Sequence, residues 1–440
     1  MKKNKVNVGL VGLGVVGSGV LELFLNNKKN IEQKTGSAIE ITHICDSSVA
    51  RLKESSKGLK VKTSSSWESV VKDPDVDIVV ELIGGKGIAK TVIIQSLENG
   101  KNVVTANKAV LAENWDEIFN LARKKCKIVY FEASVGAGIP VVQALNEGLA
   151  ANRVDYIVGI LNGTTNYILS KMFKENISFE KALSQAQASG FAEVNPVFDI
   201  EGVDTAHKLS ILSSLAWSYW IRPEKINREG ISHIDPIDIK FAYKEFGYVL
   251  KLLGVAKRIN NKVELSVRPS LIQKDHMFAA VENEYNAILL HGDASGEILL
   301  YGKGAGSGPA ASAVVSDLMY LARQVAAGTA GQVPDVNNTS CNLLSFASQQ
   351  ERYGRFYIRV TAVDKPGVLA KISSILAKYN ISIAGVFQKD PITSKKAYVP
   401  ILMITHKLKE SDLRKAVDEI DKLPIIKSKT VLIRIEEMAV

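Results

Sequence analysis

The sequence predicts an α/β protein of three parts: a doubly wound parallel sheet at the N-terminus, an α+β domain in the middle, and a small C-terminal domain of ferredoxin-like β-α-β-β-α-β order. Three observations predict it. A strand runs through a G-x-G-x-x-G turn into a helix between Val6 and Phe24, short apolar strands then alternate with helical stretches as far as Phe131, and beyond Tyr353 the pattern reads strand, helix, strand, strand, helix, strand. A chain of 440 residues is too long for one ordinary core, and 46% hydrophobic with 23% charged residues is a globular composition. The expected boundaries are 1–135, 136–336 and 354–440, with a polar linker at 337–353.

In the first domain Val6, Val8 and Leu10 alternate as a strand, and Gly12-Leu13-Gly14-Val15-Val16-Gly17 leads into the helical run Val20, Leu21, Leu23, Phe24. The first glycine permits the tight turn, the second admits a pyrophosphate to the backbone, the third lets helix and strand pack, and the helix N-terminus offers N–H groups to the anion. This is the dinucleotide-binding Rossmann fingerprint. The second strand, Ile39 to Ile44, ends at Asp46, placed to bond the adenosine ribose. Asp46 lies 29 residues past Gly17, so Asn26 to Gly36 must hold an extended helix end or a loop. Asp46 alone favours NAD, because a carboxylate repels a 2′-phosphate, whereas Arg51, Lys53 and Lys57 can bind one, so NAD and NADP both stay open. Further strands are expected at Asp77 to Ile83, Asn102 to Thr105 and Lys127 to Phe131, with a helical stretch from Thr91 to Glu98.

Net charge is +9, spread without a block of like charges, which argues against a nucleic-acid arm and suits an anionic ligand. Cys45, Cys126 and Cys341 lie far apart with no C-x-x-C spacing, so reduced thiols and a cytoplasmic location are expected. Lys2, Lys3 and Lys5 ahead of the apolar run Val8 to Leu25 imitate a secretion signal. Glycines throughout that run, Glu22 inside it, and Asn26-Asn27-Lys28-Lys29 in place of a cleavage site argue against secretion and against a membrane span.

Ionisable groups gather in the middle of the chain. Lys108 follows the strand Asn102 to Thr105 and so belongs at a carboxyl edge of the sheet, where ligands lie in open α/β folds; on position alone it also reads as a solvated lysine. Glu132 to Pro140 is a loop of small residues whose carbonyls suit a cation or a simple turn. Asn162-Gly163-Thr164-Thr165-Asn166 follows the strand Val154 to Leu161 and opens a helix, with N–H groups that can hold a carboxylate, although Thr and Asn are also ordinary caps. Gly190-Phe191-Ala192-Glu193, Asp199 and Glu201 to Leu209 come next. Asp204 and Lys208 are four apart on a helix whose Leu209, Leu212 and Ala216 form an apolar stripe; spacing alone favours a surface salt bridge worth about 0.3 to 0.5 kcal/mol. With six histidines and none placed as a base, lysine is the acid to consider, since an ammonium can protonate the alkoxide formed when hydride reaches a carbonyl.

Together these segments resemble homoserine dehydrogenase, the family that interconverts L-aspartate 4-semialdehyde and L-homoserine with a nicotinamide cofactor in threonine and methionine biosynthesis. The resemblance rests on GLGVVG at Gly12 to Gly17, VTANKA at Val104 to Ala109, EASVGAGIP at Glu132 to Pro140, NGTTNYIL at Asn162 to Leu169, GFAE at Gly190 to Glu193, DIEGVDTAHKL at Asp199 to Leu209, and GKGAGSGPAASAVVSDL at Gly302 to Leu318. It implies Lys208 as proton donor, Lys108 between cofactor and substrate, Glu193 and Asp204 as substrate ligands supported by Asp199, and Gly163 and Thr164 beside the substrate. Cofactor contacts are implied for Gly12, Leu13, Gly14, Val15, Val16, Gly17, Asp46, Lys108 and Gly190, with Gly304 closing over the nicotinamide as Gly302 to Leu318 returns to the first domain. The carbonyls of Glu132, Val135, Ala137 and Ile139 are implied as a monovalent cation site, usually for sodium, and a homodimer or homotetramer is implied as the assembly. The chain departs from the family pattern at Asn195-Pro196, usually Asp-Pro, at Cys45, where NADP-using relatives carry arginine, and at Lys86-Gly87-Ile88, where a proline is usual.

At the C-terminus the D-x-P-G turn Asp364 to Gly367 stands inside the ferredoxin-like pattern, which resembles an ACT domain, a module that often binds an amino acid and reports to an attached enzyme. Threonine is the effector such a pathway enzyme would take; a ligand-free dimerisation module is the other reading. Two further functions stand against the dehydrogenase: a non-catalytic amino-acid sensor, and a Rossmann oxidoreductase with a cysteine nucleophile.

Overall fold

The computed structural model describes residues 3–259, 261–332, 344–388 and 398–438. Cys341 and the first part of the expected linker, 337–343, lie outside them. Parallel strands β1 (Lys5–Val11), β2 (Ala38–Cys45), β3 (Lys62–Ser64), β4 (Ile78–Glu81), β5 (Asn102–Thr105) and β6 (Val129–Tyr130) form the first sheet in the order β3-β2-β1-β4-β5-β6. This is the Rossmann order, and the strand sequence reverses between β1 and β4, which opens a crevice at their carboxyl ends. Helices cover both faces, so β4 and β5 are buried throughout and carry apolar runs in place of alternation. One cover comes from far along the chain: Ala311, Val314, Leu318 and Leu321 of the Ser307–Ala327 helix share a core with Val8, Leu10 and Phe24.

The long spacing before β2 is filled by a second helix, Lys28–Thr35, which ends at Gly36 in the left-handed region (φ 74°). β3 has no counterpart among the expected strands; its three residues are exposed or half-buried at the sheet edge and show no readable alternation.

The second sheet is antiparallel at its centre. β7 (Val154–Ile160), β9 (Tyr248–Ile259), β10 (Lys262–Gln273), β11 (Tyr285–Gly292) and β12 (Gly296–Lys303) run in the order β12-β11-β7-β9-β10, with the short β8 (Asn227–Arg228) beside β10. The Val203–Trp217 helix lies against it and is buried almost all round. That corrects the amphipathic stripe and the surface salt bridge read from spacing: both flanks of this helix are covered, one by β7 and β9 and the other by the Lys108–Lys124 helix.

After the short β13 (Ser345–Phe346), which pairs with β10, the chain forms β14 (Tyr353–Val363), the Val368–Lys378 helix, β15 (Ile383–Gln388), β16 (Tyr398–Thr405), β17 (Leu408–Lys409), the Glu410–Ile420 helix and β18 (Val431–Ile435). The sheet order β18-β14-β16-β15 is ferredoxin-like, as expected. Its two helices pack on one face over Ile358, Val360 and Met403, Leu413 of the second helix joining that core. The edge strand β18 pairs in parallel with β10 at Ser270↔Arg434 and Leu271↔Ile435, so the sheet of the third domain continues that of the second. Among the described residues no helix is long and apolar enough to cross a membrane.

Candidate active site

The phosphate turn has the backbone its glycines predict. Gly12 has φ 101°, and a Cβ on Gly17 would stand 1.9 Å from the Gly12 carbonyl oxygen. The Val15–Asn26 helix starts at Gly14, which has no side chain to cap it, so its first N–H groups face outward with Val15 exposed beside them. Next to this turn lies a cavity of about 300 Å³, lined among others by Gly12, Asp46, Arg51, Ser65, Trp67 and Ile83.

Asp46 is held in place by donors on three residues. Its Oδ2 accepts from the Leu13 N–H at 2.7 Å, and its Oδ1 accepts from Ser48 N–H at 2.7 Å and from the Arg51 guanidinium at 2.8 Å and 3.1 Å. Burial works against the carboxylate, but these bonds outweigh it and hold its pKa below the usual range. Asp46 therefore braces the phosphate turn and anchors Arg51 at the mouth of the cavity that both residues line.

The lysines come together around Asp204. Lys208 Nζ stands 2.8 Å from Asp204 Oδ2, and Lys108 Nζ stands 2.8 Å from Asp204 Oδ1. Asp204 and Lys208 are 3% and 7% exposed, whereas the Lys108 side chain is 35% exposed and reaches the surface. Lys208 also donates to the Leu161 carbonyl at 2.6 Å. Asn162 caps the Gly163–Glu175 helix through the Thr165 N–H and turns its amide nitrogen onto Asp199 (2.7 Å) and Asp204 (2.9 Å). Burial lowers the Lys208 pKa, against the pull of Asp204 and with the help of Lys108. Burial also opposes the Lys108 charge, but Asp204 outweighs it, with Asp199 and Glu193 adding, and that pKa is raised. Asp204 itself is held far below the usual carboxylate range, because the two lysines overcome the cost of burial.

Residues not singled out from sequence set these positions. Thr105 donates to Glu81 at 2.6 Å and accepts from the Asn107 N–H at 3.0 Å; Asn107 caps the helix that begins at Lys108 and donates to the carbonyls of Ile83 and Gly85. Burial pushes Glu81 up to about 7. Thr164 donates to the Phe191 carbonyl at 2.7 Å, which ties the Gly163 turn to the segment carrying Gly190 and Glu193. Gly190 is exposed with φ 74°, and Glu193 is exposed with its carbonyl bonded to Gln187. Asp199 sits half-buried beside Asn162.

Glu132 opens a short 3₁₀ turn, and its carboxyl accepts from the N–H groups of Val142 and Gln143, while its own N–H donates to buried Asp317. Val135, Ala137 and Ile139 are buried in the loop that follows; Ala137 takes φ 47°, and the Ile139 carbonyl accepts from Val141. Burial raises Glu132 to about 7 and raises Asp317 well above its ordinary value, Glu132 adding to the latter. Burial, followed by Asp46, pushes the Cys45 thiol up to about 11, and Cys126 lies exposed past the far end of the Lys108–Lys124 helix, so neither thiol serves the lysine cluster.

Three family models match consecutive parts of the chain: the homoserine dehydrogenase NAD-binding domain at residues 12–132, homoserine dehydrogenase at 140–319, and the ACT domain at 356–425. Homoserine dehydrogenase of Neisseria gonorrhoeae is 42% identical over 98% of this chain and 99% of its own length. The chain belongs to the homoserine dehydrogenase family. Crystals of a homoserine dehydrogenase from Thiobacillus denitrificans show the same fold, with TM-score 0.92 and 40% identity over 98% of each chain. A hyperthermophilic archaeal homoserine dehydrogenase solved with NADPH aligns at TM-score 0.62 and 26% identity over 76% of this chain and 99% of that one. Homoserine dehydrogenases are NAD(P)-dependent oxidoreductases, and this one carries the lysine cluster beside its dinucleotide crevice and an ACT domain after it.

Proposed function

We propose that the chain catalyses the reversible NAD(P)H-dependent reduction of L-aspartate 4-semialdehyde to L-homoserine, with Lys208 as proton donor. The observation that carries this reading is one buried carboxylate, Asp204, holding two lysines at 2.8 Å each beside the carboxyl end of β5. A bound reduced dinucleotide supplies the hydride. As the aldehyde carbon accepts it, negative charge gathers on the carbonyl oxygen, and Lys208 Nζ gives its proton to that oxygen. Burial makes Lys208 a readier donor than an ordinary lysine, Asp204 orients it, and Lys108 adds positive charge where the oxyanion develops. In the reverse direction neutral Lys208 takes the hydroxyl proton of homoserine. Glu193 and Asp199 suit the substrate ammonium, and the helix start at Gly163 and Thr164 suits its carboxylate.

Arg51, fixed by Asp46 at the cavity mouth, supports NADPH as the preferred form, because its charge offsets the carboxylate that would repel a 2′-phosphate. The buried carboxyls of Glu132 and Asp317 support a monovalent cation at the loop holding Val135, Ala137 and Ile139, since among the described residues no basic side chain forms an ion pair with either. The ACT domain is read as the site of threonine control, and a homodimer or homotetramer as the assembly. Purified protein should oxidise NADPH faster than NADH when L-aspartate semialdehyde is added. Lys208→Ala should lose about 10²- to 10⁴-fold in kcat while still folding, and full activity in that variant rejects the assignment.

A further inference from the structure

Asn286 is fully buried, at 0% exposure, and neither its Oδ1 nor its Nδ2 has a hydrogen-bond partner among the described residues. A buried amide with both ends unpaired is costly and rare, and it points to a ligand or water that completes it. Its place is defined by the strands around it. On one side Asn286 pairs with Gly302 of β12, and on the other, one step beyond the Ala287↔Ile160 pair, it comes level with Leu161, whose carbonyl holds the Lys208 ammonium. Side chains alternate along β11: Ala287 and Leu289 join the core on the far face, while Ile288 and Leu290 share a core with Leu161 and Leu209. Asn286 falls in the second set and projects to the face that carries Lys208.

The turn after β12 brings the phosphate site to the same amide. A Cβ on Gly304 would stand 2.0 Å from Asn286 Nδ2, so a side chain there would displace the amide, and Ser307 donates to the Val15 carbonyl at 2.8 Å in the phosphate turn. Asn286 therefore lies between the pyrophosphate end of the crevice and the lysine that protonates the substrate.

We propose that Asn286 holds the carboxamide of the bound nicotinamide, its Nδ2 donating to the carboxamide oxygen and its Oδ1 accepting from the carboxamide nitrogen. This rests on the dinucleotide reading above. The substrate ammonium only donates, and its carboxylate and aldehyde only accept, so none of them satisfies both atoms of the amide. A carboxamide offers an acceptor and a donor in one plane, and holding it fixes the rotation of the ring beside Lys208.

The test compares wild type with Asn286→Ala and Asn286→Leu in the full chain. Binding of NADPH, of 2′-phospho-ADP-ribose, which lacks the nicotinamide, and of the 3-acetylpyridine analogue, which lacks the carboxamide N–H groups, is titrated against each. Both variants should bind NADPH about tenfold or more weakly, bind the ribose fragment as the wild type does, and lose the preference for nicotinamide over acetylpyridine. Ligand-free Asn286→Leu should melt no lower than wild type, because an apolar group of similar size replaces an unpaired one. Unchanged NADPH binding in the variants, an equal loss for the fragment, or a lower melting point in the ligand-free leucine variant overturns the role of Asn286 and leaves the dinucleotide reading intact. Wild type that binds neither NADPH nor the fragment overturns both.

Discussion

A carboxylate shared by two ammonium groups sets the charge of both, and Asp204 is that carboxylate. Burial drives Lys208 toward the neutral amine and Asp204 opposes it. Asp204→Asn removes the opposing charge while leaving Lys108 in place, so the Lys208 pKa should fall further. Reduction of the aldehyde needs protonated Lys208, so its rate should drop away at lower pH than in the wild type; oxidation of homoserine needs the neutral amine and should extend to more acid pH. Rate profiles in both directions check this, and a reduction profile whose alkaline limb stays put would remove Asp204 from control of the proton. The i,i+4 spacing of Asp204 and Lys208 was visible in the sequence, but their burial was not, because nothing local distinguishes a buried pair from a surface one. Asn162, Asn107 and the Leu161 carbonyl were legible only as a cap, a loop residue and the end of a strand. Their roles come from contacts that span from 22 to 47 residues.

Elements with a strong local pattern were readable: β1 and its phosphate turn, β5 and β7 fall within a few residues of expectation, and the helices and strands of the third domain follow the expected order. β3 escaped notice because a three-residue edge strand has no period, and the burial of the Val203–Trp217 helix depends on what packs around it. The Glu132 loop shows the same limit, since its small residues reveal a turn but not the buried Asp317 brought to it by the Ser307–Ala327 helix. Glu132 has an ordinary value of 4.5 and is raised to about 7 in the fold, so the folded chain binds more protons than the unfolded one between those values. Its contribution to stability is therefore present below about pH 4.5 and is lost as pH rises toward 7. Glu81, also raised to about 7, acts in the same direction. A cation in the Glu132 loop would relieve the first effect and not the second. Replacing choline chloride by sodium chloride should raise the melting temperature by more at pH 8 than at pH 5, and Glu132→Gln, which keeps the carbonyl, should shrink that difference. Equal melting in the two salts at every pH would leave the loop without a cation.

At the scale of the whole molecule the catalytic and ACT domains are one sheet, joined at β10 and β18, and buried ions hold the joint. Arg268 stands 3.4 Å from Glu410, and Arg434 lies 3.2 Å from both Glu264 and Glu436, with all five side chains buried. On the neighbouring face Arg359 forks onto Asp238 at 2.6 Å and 2.9 Å, and the Tyr357 hydroxyl donates to the same carboxyl at 2.9 Å. None of this was legible beforehand, since no strand was read at β10, β18 read as an ordinary strand, and the ladder between them has only two residue pairs. The joint also decides how control by the third domain is best probed. Deleting it would expose the β10 edge and strip Arg268 of Glu410 and Glu264 of Arg434, so lost activity in a truncated chain would report damage as much as regulation. A paired substitution avoids this. Asp238→Ala leaves Arg359 facing an uncharged, half-buried site and should cost about 3 to 5 kcal/mol in thermal or denaturant unfolding, whereas Asp238→Leu with Arg359→Met should recover part of that loss, the Tyr357 hydroxyl still lacking its acceptor. If the joint carries the response to threonine, the recovered double variant should keep wild-type turnover and respond less to threonine, because both states of the third domain then meet a neutral contact where an ion pair had discriminated between them. A double variant that folds and turns over like the wild type, yet responds fully to threonine, would place the coupling along β18 and β10 instead.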